Sequence, residues 1–402
     1  MTHSRHLSSD SPALLPLLAA LVALGPLSID MYLPAMPLIK EDLNTDIARV
    51  QLTMSSYLTG FALFHLVCGP LSDRFGRRPI LLSGTLLFVL ASLGCAQSDS
   101  IDELLMYRFV QGIGACVGPT LARAMVRDLF GPSRAARALS VIAMLMALAP
   151  AIAPLIGGLA LLIFPWPSIF VFLAGYGLIM IFLIYINLAE SLPSPQSLHP
   201  GKIARNFIML AGDRDYMTAV LICCLLYSGM MSYLAASSFV FIDMYGVPRE
   251  LFGLIFLTLV LGYIAGSGLS ARLSRRYLPE TTIVLGVALS VAAGAACSLA
   301  AWIFPKSVLA LAMPMGFYIT GLGLVMPNSM AVALRPYPQI AGTASALLGF
   351  LQMALSALAT ASVGALLTSS ALPVILSISL AAMVALPLSL YLFRQRPQPP
   401  GN

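Results

Sequence analysis

Apolar residues run through this chain in long blocks, neither alternating singly nor recurring as one stripe of a soluble helix. A window of about twenty residues matches a helix long enough to cross a hydrocarbon core of about 30 Å. It finds twelve blocks, near 13–34, 51–71, 79–97, 102–126, 138–162, 168–189, 216–242, 250–272, 281–303, 307–333, 341–366 and 372–394. The period-two pattern of a membrane barrel is absent from them. The pattern predicts an all-α membrane protein of twelve spanning helices joined by short polar connections.

Composition makes lipid the required solvent. Of the 402 residues, 59% are hydrophobic and 9% charged, against about a quarter charged in soluble domains. The opening MTHSRH leads straight into the first block with no small-residue cleavage site, so that block is read as an uncleaved span. The net charge of +6 is no footprint for nucleic acid, because the basic residues sit in connections between spans. Seventeen of the 22 lysines and arginines fall in one alternating set of connections, and Lys40, Arg49, Arg249 and Lys306 in the other. Positive charge stays inside, so both termini are expected in the cytoplasm of a multi-pass protein of the bacterial inner membrane. Six cysteines lie in apolar segments without metal-ligand spacing, and neither a metal site nor a disulfide framework is expected.

The chain divides into two halves. Residues 71–78 read LSDRFGRR and residues 269–276 read LSARLSRR, each at the inner turn after the second span of its six; QGIG at 111–114 and TGLG at 320–323 echo each other in the fourth spans. Parallel repeats of six helices are a secondary-transporter layout. The expected organisation is a six-helix lobe over 1–189, an inner linker over 190–215 and a second lobe over 216–402. Within the linker, Ile203, Phe207 and Leu210 recur at helical spacing around Lys202 and Arg205, which suggests a short helix on the inner membrane surface, a disordered linker being the alternative.

Two ionisable residues stand out. Asp30 is the one acid well inside a span, Asp243 lying nearer an outer end, and Arg108 lies inside the fourth span. Counting along each span at 1.5 Å per residue places both about 6–10 Å below the outer boundary. An arginine alone in lipid costs about 2.5–3.5 kcal/mol, so Arg108 is expected to face the bundle interior and a polar or acidic partner. For a carboxyl group there, desolvation favours the protonated form and a nearby cation the ionised one, the balance a proton-coupled exchanger needs. Asp30 as a helix-end or funnel-mouth group, and Arg108 as a tie between helices 4 and 1, are the plainer alternatives.

Several stretches resemble one family. GPLSDRFGRRP (69–79) looks like the loop between helices 2 and 3 of the major facilitator superfamily, YRFVQGIGA (107–115) like its helix 4 motif, and APAIAPLIGG (149–158) like its antiporter motif in helix 5. SIDMYLPAMP (28–37), RAMVRDLF (123–130) and AGTASALLGFLQ (341–352) are similar to the bicyclomycin-resistance (Bcr/CflA) branch of drug:proton antiporters, although Phe64 and His65 stand where that branch has Gly-Gln. The resemblance implies two pseudo-symmetric lobes, proton coupling through Asp30 and Arg108, and an inner gate at Gly69, Asp73, Arg74, Gly76, Arg77, Arg78, Arg127 and Asp128. Because Ala271 replaces Asp73 in the second half, the gate is expected to be asymmetric. Pro150, Pro154, Gly157 and Gly158 would govern leak-tight exchange, or serve as small-residue packing.

Tyr32, Tyr57, His65, Gln111, Tyr227, Tyr233, Asn328 and Gln352 are the candidate cavity lining, each a polar or amphipathic group in an apolar span; plain interhelical hydrogen bonding is the alternative for them. The expected activity is export of small hydrophobic or amphipathic drugs by alternating access, with protons as the coupling ion and no other cofactor, since no phosphate-binding GxxxxGK[ST] occurs. A small-molecule drug and the bilayer are the expected partners, with no nucleic acid, and the expected working unit is a monomer. The rival readings are transport of a metabolite such as an amino acid or nucleoside, a multispanning membrane enzyme, which the absence of HExxH and GxSxG disfavours, and a channel, disfavoured by the lack of repeated selectivity residues.

Overall fold

The structure, a computed structural model, describes residues 13–192, 200–368 and 370–395; side chains at 131–137, 139–141, 143–149, 151 and 200 also fall outside the description. Both chain ends and the PSPQSLH portion of the linker therefore lie outside the described residues. Those described are helical throughout and include no strand. Cα packing divides the chain into two compact units. One comprises Met1–His199 with Pro248–Gly253, the other Pro200–Val247 with Leu254–Asn402.

The first unit carries α1 (Leu14–Asp30), α2 (Met36–Asp42), α3 (Ile47–Phe75), α4 (Arg77–Ala96), α5 (Ile101–Ala115), α6 (Val117–Ala160) and α7 (Pro167–Asn187). The second carries α8 (Pro200–Gly212), α9 (Arg214–Ser238), most of α10 (Arg249–Leu273), α11 (Pro279–Ile303), α12 (Val308–Leu334), α13 (Ala341–Leu366) and α14 (Leu372–Arg394). Among the described residues, eleven helical segments are long and apolar enough to cross a membrane. In the expected span 138–162 the side chains at 139–141, 143–149 and 151 are outside the description, while helical backbone runs through it as part of α6.

The polar connections start the helices. Asp46, Ser100, Asp213 and Ser307 each precede an apolar block and accept a bond from the backbone N–H three residues on, which satisfies a donor otherwise left free in the first turn. The outward faces are apolar, as lipid requires: Ile163, Phe182, Leu380 and Trp302 are 78%, 61%, 64% and 82% exposed. Inside, close approach depends on small residues. A Cβ at Gly112 in α5 would overlap the Tyr57 carbonyl of α3, so glycine there lets the two backbones touch and sets Tyr57 beside the α5 side chains.

One expectation needs correction. The first span does not end near residue 34; it continues to Asp42 with an interruption. Pro34 has no N–H to give the Asp30 carbonyl, so α1 stops at Asp30, a 3₁₀ turn covers Leu33–Ala35, and α2 resumes at Met36. Asp30 thus lies twelve residues before the end of this interrupted helical run. In the linker, α8 forms as the spacing suggests, with Leu210 buried, Ile203 and Phe207 half-buried and Ile208 73% exposed.

Candidate functional site

The centre of the first unit holds a fully buried arginine in a box of aromatic rings. Arg108, two turns into α5, shows no exposed surface. Its guanidinium carbon lies 4.4 Å from the Tyr32 ring centroid, 4.5 Å from Tyr57 and 5.8 Å from Phe170. Nη1 donates to the Ser28 carbonyl at 3.1 Å and to Gln111 Oε1 at 2.7 Å, and Nη2 faces the Met54 sulfur at 3.9 Å. Gln111 in turn donates through Nε2 to Ser92 Oγ at 2.8 Å, and the Tyr32 hydroxyl shares a 2.6 Å bond with Thr53 Oγ1. Ring faces carry the negative end of a quadrupole, so each ring supplies a desolvated cation with about 2 kcal/mol. The rings favour the buried charge without a carboxylate in contact, and among the described residues Nε has no hydrogen-bond partner.

Asp30 is buried at 3% exposure, at the interruption of the first span, two residues beyond the carbonyl that holds Arg108. Among the described residues no ion pair joins the two side chains. Arg108 therefore binds α1 through backbone and rings, and its partner is polar and aromatic rather than acidic. The helix 5 glycine Gly157 packs against this same interruption: a Cβ there would stand 2.5 Å from the Met31 carbonyl oxygen. Pro154 and Gly158 are buried beside it and Pro150 is half-buried.

A second cluster forms where α3 turns into α4. Gly76 holds φ at +99°, a backbone angle that disfavours any side chain. Arg77 then makes ion pairs with Asp73 at 2.6 Å and Asp128 at 3.1 Å, and donates to Ser72 Oγ at 2.6 Å. Ser191 also reaches Asp128, at 3.4 Å. Gly69 has open space around it, and Arg74 and Arg127 are exposed. Arg78 donates to the Tyr185 carbonyl at 2.7 Å and lies over the Tyr185 ring.

Glu190 is the residue that sequence reasoning missed here. Its carboxylate accepts from the backbone N–H groups of Arg77 at 2.9 Å and Arg78 at 3.1 Å, capping α4 at the end where an anion is favoured. It fills the space a Cβ at Gly76 would need, 2.5 Å from its Oε2. No spacing rule links residue 190 to residue 77. Phe170, Met54 and Ser28 were missed for the same reason, being ordinary core residues until α5 sets a cation among them.

The remaining lining candidates divide between the units. His65 is buried with Nδ1 3.7 Å from Cys116 Sγ, and the Tyr57 hydroxyl donates to the Gly25 carbonyl at 3.3 Å. In the second unit Asn328 donates to Ser270 Oγ and the Leu324 carbonyl, both at 2.7 Å, a plain interhelical role. Among the described residues Tyr233 Oη and Gln352 Nε2 are buried with no hydrogen-bond partner, and Tyr227 is half-buried.

A protein-family model described as Major Facilitator Superfamily matches residues 18–360. A Bicyclomycin resistance protein homolog of Haemophilus influenzae is 30% identical over 375 residues, covering 92% of this chain and 93% of that protein. The Multidrug resistance protein MdtL of Shewanella oneidensis is 33% identical over 374 residues, again 92% and 93%. An uncharacterized MFS-type transporter, YdgK of Bacillus subtilis, is 34% identical over 88% of each chain. Among solved structures, a peptide transporter (POT) superposes with a TM-score of 0.79 at 14% identity, covering 97% of this chain and 96% of that one. A D-xylose-proton symporter gives 0.72 at 15% identity, covering 96% and 98%. At those identities the structural likeness speaks for the fold alone.

Proposed function

The chain belongs to the Major Facilitator Superfamily, and from that premise we propose that it exports small hydrophobic or amphipathic drugs across the bacterial inner membrane in exchange for protons. It is a transporter and not an enzyme; alternating access moves the drug, and both termini face the cytoplasm in a monomeric working unit. The names of the relatives support a drug as the cargo over an amino acid or nucleoside.

One observation carries the coupling: a buried arginine hydrogen-bonded to the backbone of the first span, two residues from a buried acid at that span's interruption. Asp30 carries the proton. Arg108, held by rings and a carbonyl instead of by a counter-ion, keeps its charge available to the carboxylate each time the proton leaves. The drug and the proton then alternate, because deprotonation of Asp30 changes which contacts Arg108 makes. Non-helical backbone beside such a group is a recurrent transporter device. Gly157 keeps helix 5 against that backbone, and the Arg77 cluster biases the inner gate; about 1–2 kcal/mol is enough to shift such an equilibrium.

The test is a drug-sensitivity panel in a pump-deficient bacterium, paired with everted vesicles in which added drug releases protons. Expression of the wild-type chain should raise resistance to members of the panel, and Asp30→Asn and Arg108→Ala, inserted at equal abundance, should abolish drug-induced proton release. Unchanged sensitivity across the panel would overturn drug export, and normal exchange by Asp30→Asn would overturn the proton-carrier role.

A further inference from the structure

The repeated octamer does not build the same network twice. In the second unit Arg272, Arg275 and Arg276 are exposed and make no ion pair among the described residues. The helix pair that corresponds to α4 and the fourth span is instead joined by Glu280 in the first turn of α11 and Arg335 at the end of α12, with 3.0 Å between Arg335 Nη2 and Glu280 Oε1. In the first unit the buried member of the pair is the cation, Arg77; here it is the anion, Glu280, at 2% exposure. Each half thus joins its third and fourth spans by an ion pair near the octamer, with the buried charge of opposite sign.

Inversion changes how the two pairs sit on their helices. Arg77 is a cation at a helix N-terminus, where the macrodipole opposes it, and it holds its place with Asp73, Asp128, Ser72 and the Glu190 carboxylate around it. Glu280 is an anion at a helix N-terminus and Arg335 a cation at a C-terminus, so both ends favour the pair as it stands. Glu280 thus combines the bridging that Arg77 performs with the N-terminal anion that Glu190 supplies. Among the described residues its other carboxylate oxygen, Oε2, is buried without a hydrogen-bond partner and Arg335 is its ion-pair partner.

We propose that Glu280 and Arg335 are the fixed inner brace of the second lobe, positioning residues that hold the octamer-side ends of α11 and α12 together through the transport cycle, while the many-partnered Arg77 cluster is the one that releases. The proposal rests on the transport reading for its role and on the Glu280–Arg335 geometry for its existence, and the two are tested apart. Spin labels at exposed Leu285→Cys and at exposed Ala331→Cys, with the six native cysteines buried, report the separation of those helices without any drug present. The wild-type brace should give one narrow distance distribution and Arg335→Lys should keep it. Glu280→Gln and Arg335→Gln should each broaden it, and the double variant should broaden it no further.

In everted vesicles, at equal membrane abundance, each neutralisation should slow drug-induced proton release about five-fold with the half-saturating drug concentration unchanged, and the double variant should be no slower than either single one. Narrow distributions and wild-type rates in both single variants would overturn the brace. So would a double variant whose loss is the product of the two. If the wild-type protein answers no drug on the panel, the export reading falls, and the spin-label distances still decide the brace.

Discussion

Tyr57 gives the sharpest test of the aromatic box. Its ring lies 4.5 Å from the Arg108 guanidinium, and its hydroxyl makes a long 3.3 Å bond to the Gly25 carbonyl. Tyr57→Phe keeps the ring and removes only that bond, a loss under about 1 kcal/mol. Tyr57→Leu keeps apolar bulk but removes the quadrupole facing a fully desolvated cation, about 2 kcal/mol. If the position of the guanidinium sets the coupling, that difference amounts to about a thirty-fold loss of drug-induced proton release. The assay is the everted-vesicle exchange at matched abundance, with both variants beside wild type. Tyr57→Phe should stay within about five-fold of wild type and Tyr57→Leu should fall about thirty-fold. Equal losses in the two variants would refute the reasoning, because the hydroxyl and not the ring would then be the working part. Wild-type rates in both would show that the rings only fill space.

Gly157→Val places side-chain atoms against the Met31 carbonyl and should be overpacked by roughly 1–3 kcal/mol; proton release should fall while insertion persists, and wild-type exchange would contradict the role given to that contact. Glu190→Gln loses charge-assisted bonds to the N-terminus of α4, about 1 kcal/mol, and should lower the Tm of the purified protein by about 1–2 °C. At the polar end of α9, burial raises the Asp213 carboxyl but is outweighed by bonds from the Tyr216 N–H and the Tyr337 hydroxyl, which leave it below the usual carboxylate range. That bond pushes the Tyr337 phenol up to about 12. A depressed acid stabilises above its unfolded value and loses that contribution as pH falls through its folded one, and a raised phenol stabilises until pH climbs from about 10 towards its folded value. Asp213→Asn should therefore lower thermal stability at pH 7 and at pH 9, with the gap to wild type closing as pH falls through and below the usual carboxylate range; a gap that does not narrow in acid would contradict the linkage.

The fold was legible because lipid leaves so few solutions. A spanning segment must satisfy its own backbone, so block length alone marks the helices, and the octamer at 71–78 with its echo at 269–276 marks the two halves. Site residues could be read where the chemistry is scarce: Asp30 and Arg108 stand out because a charge in oil needs a reason. The end of the first span was misplaced because Pro34 was read as its end, when a proline can equally interrupt one that resumes. Partners drawn from common residues stayed hidden. Phe170 and Tyr57 look like any apolar helix residue, and Glu190 like any loop acid, until the chain brings Arg108 and the α4 backbone to them. The inverted pair Glu280–Arg335 was hidden for a further reason: the repeat pointed to residues 269–276, whereas the bond lies just beyond them.

The central claim is that drug binding expels a proton from Asp30. Its most direct measurement uses purified protein in weakly buffered detergent with a pH-indicating dye, adding a drug that the panel has identified. The wild-type chain should release protons in proportion to bound drug, and Asp30→Asn, binding the same drug, should release none. Equal release from both proteins would contradict the account.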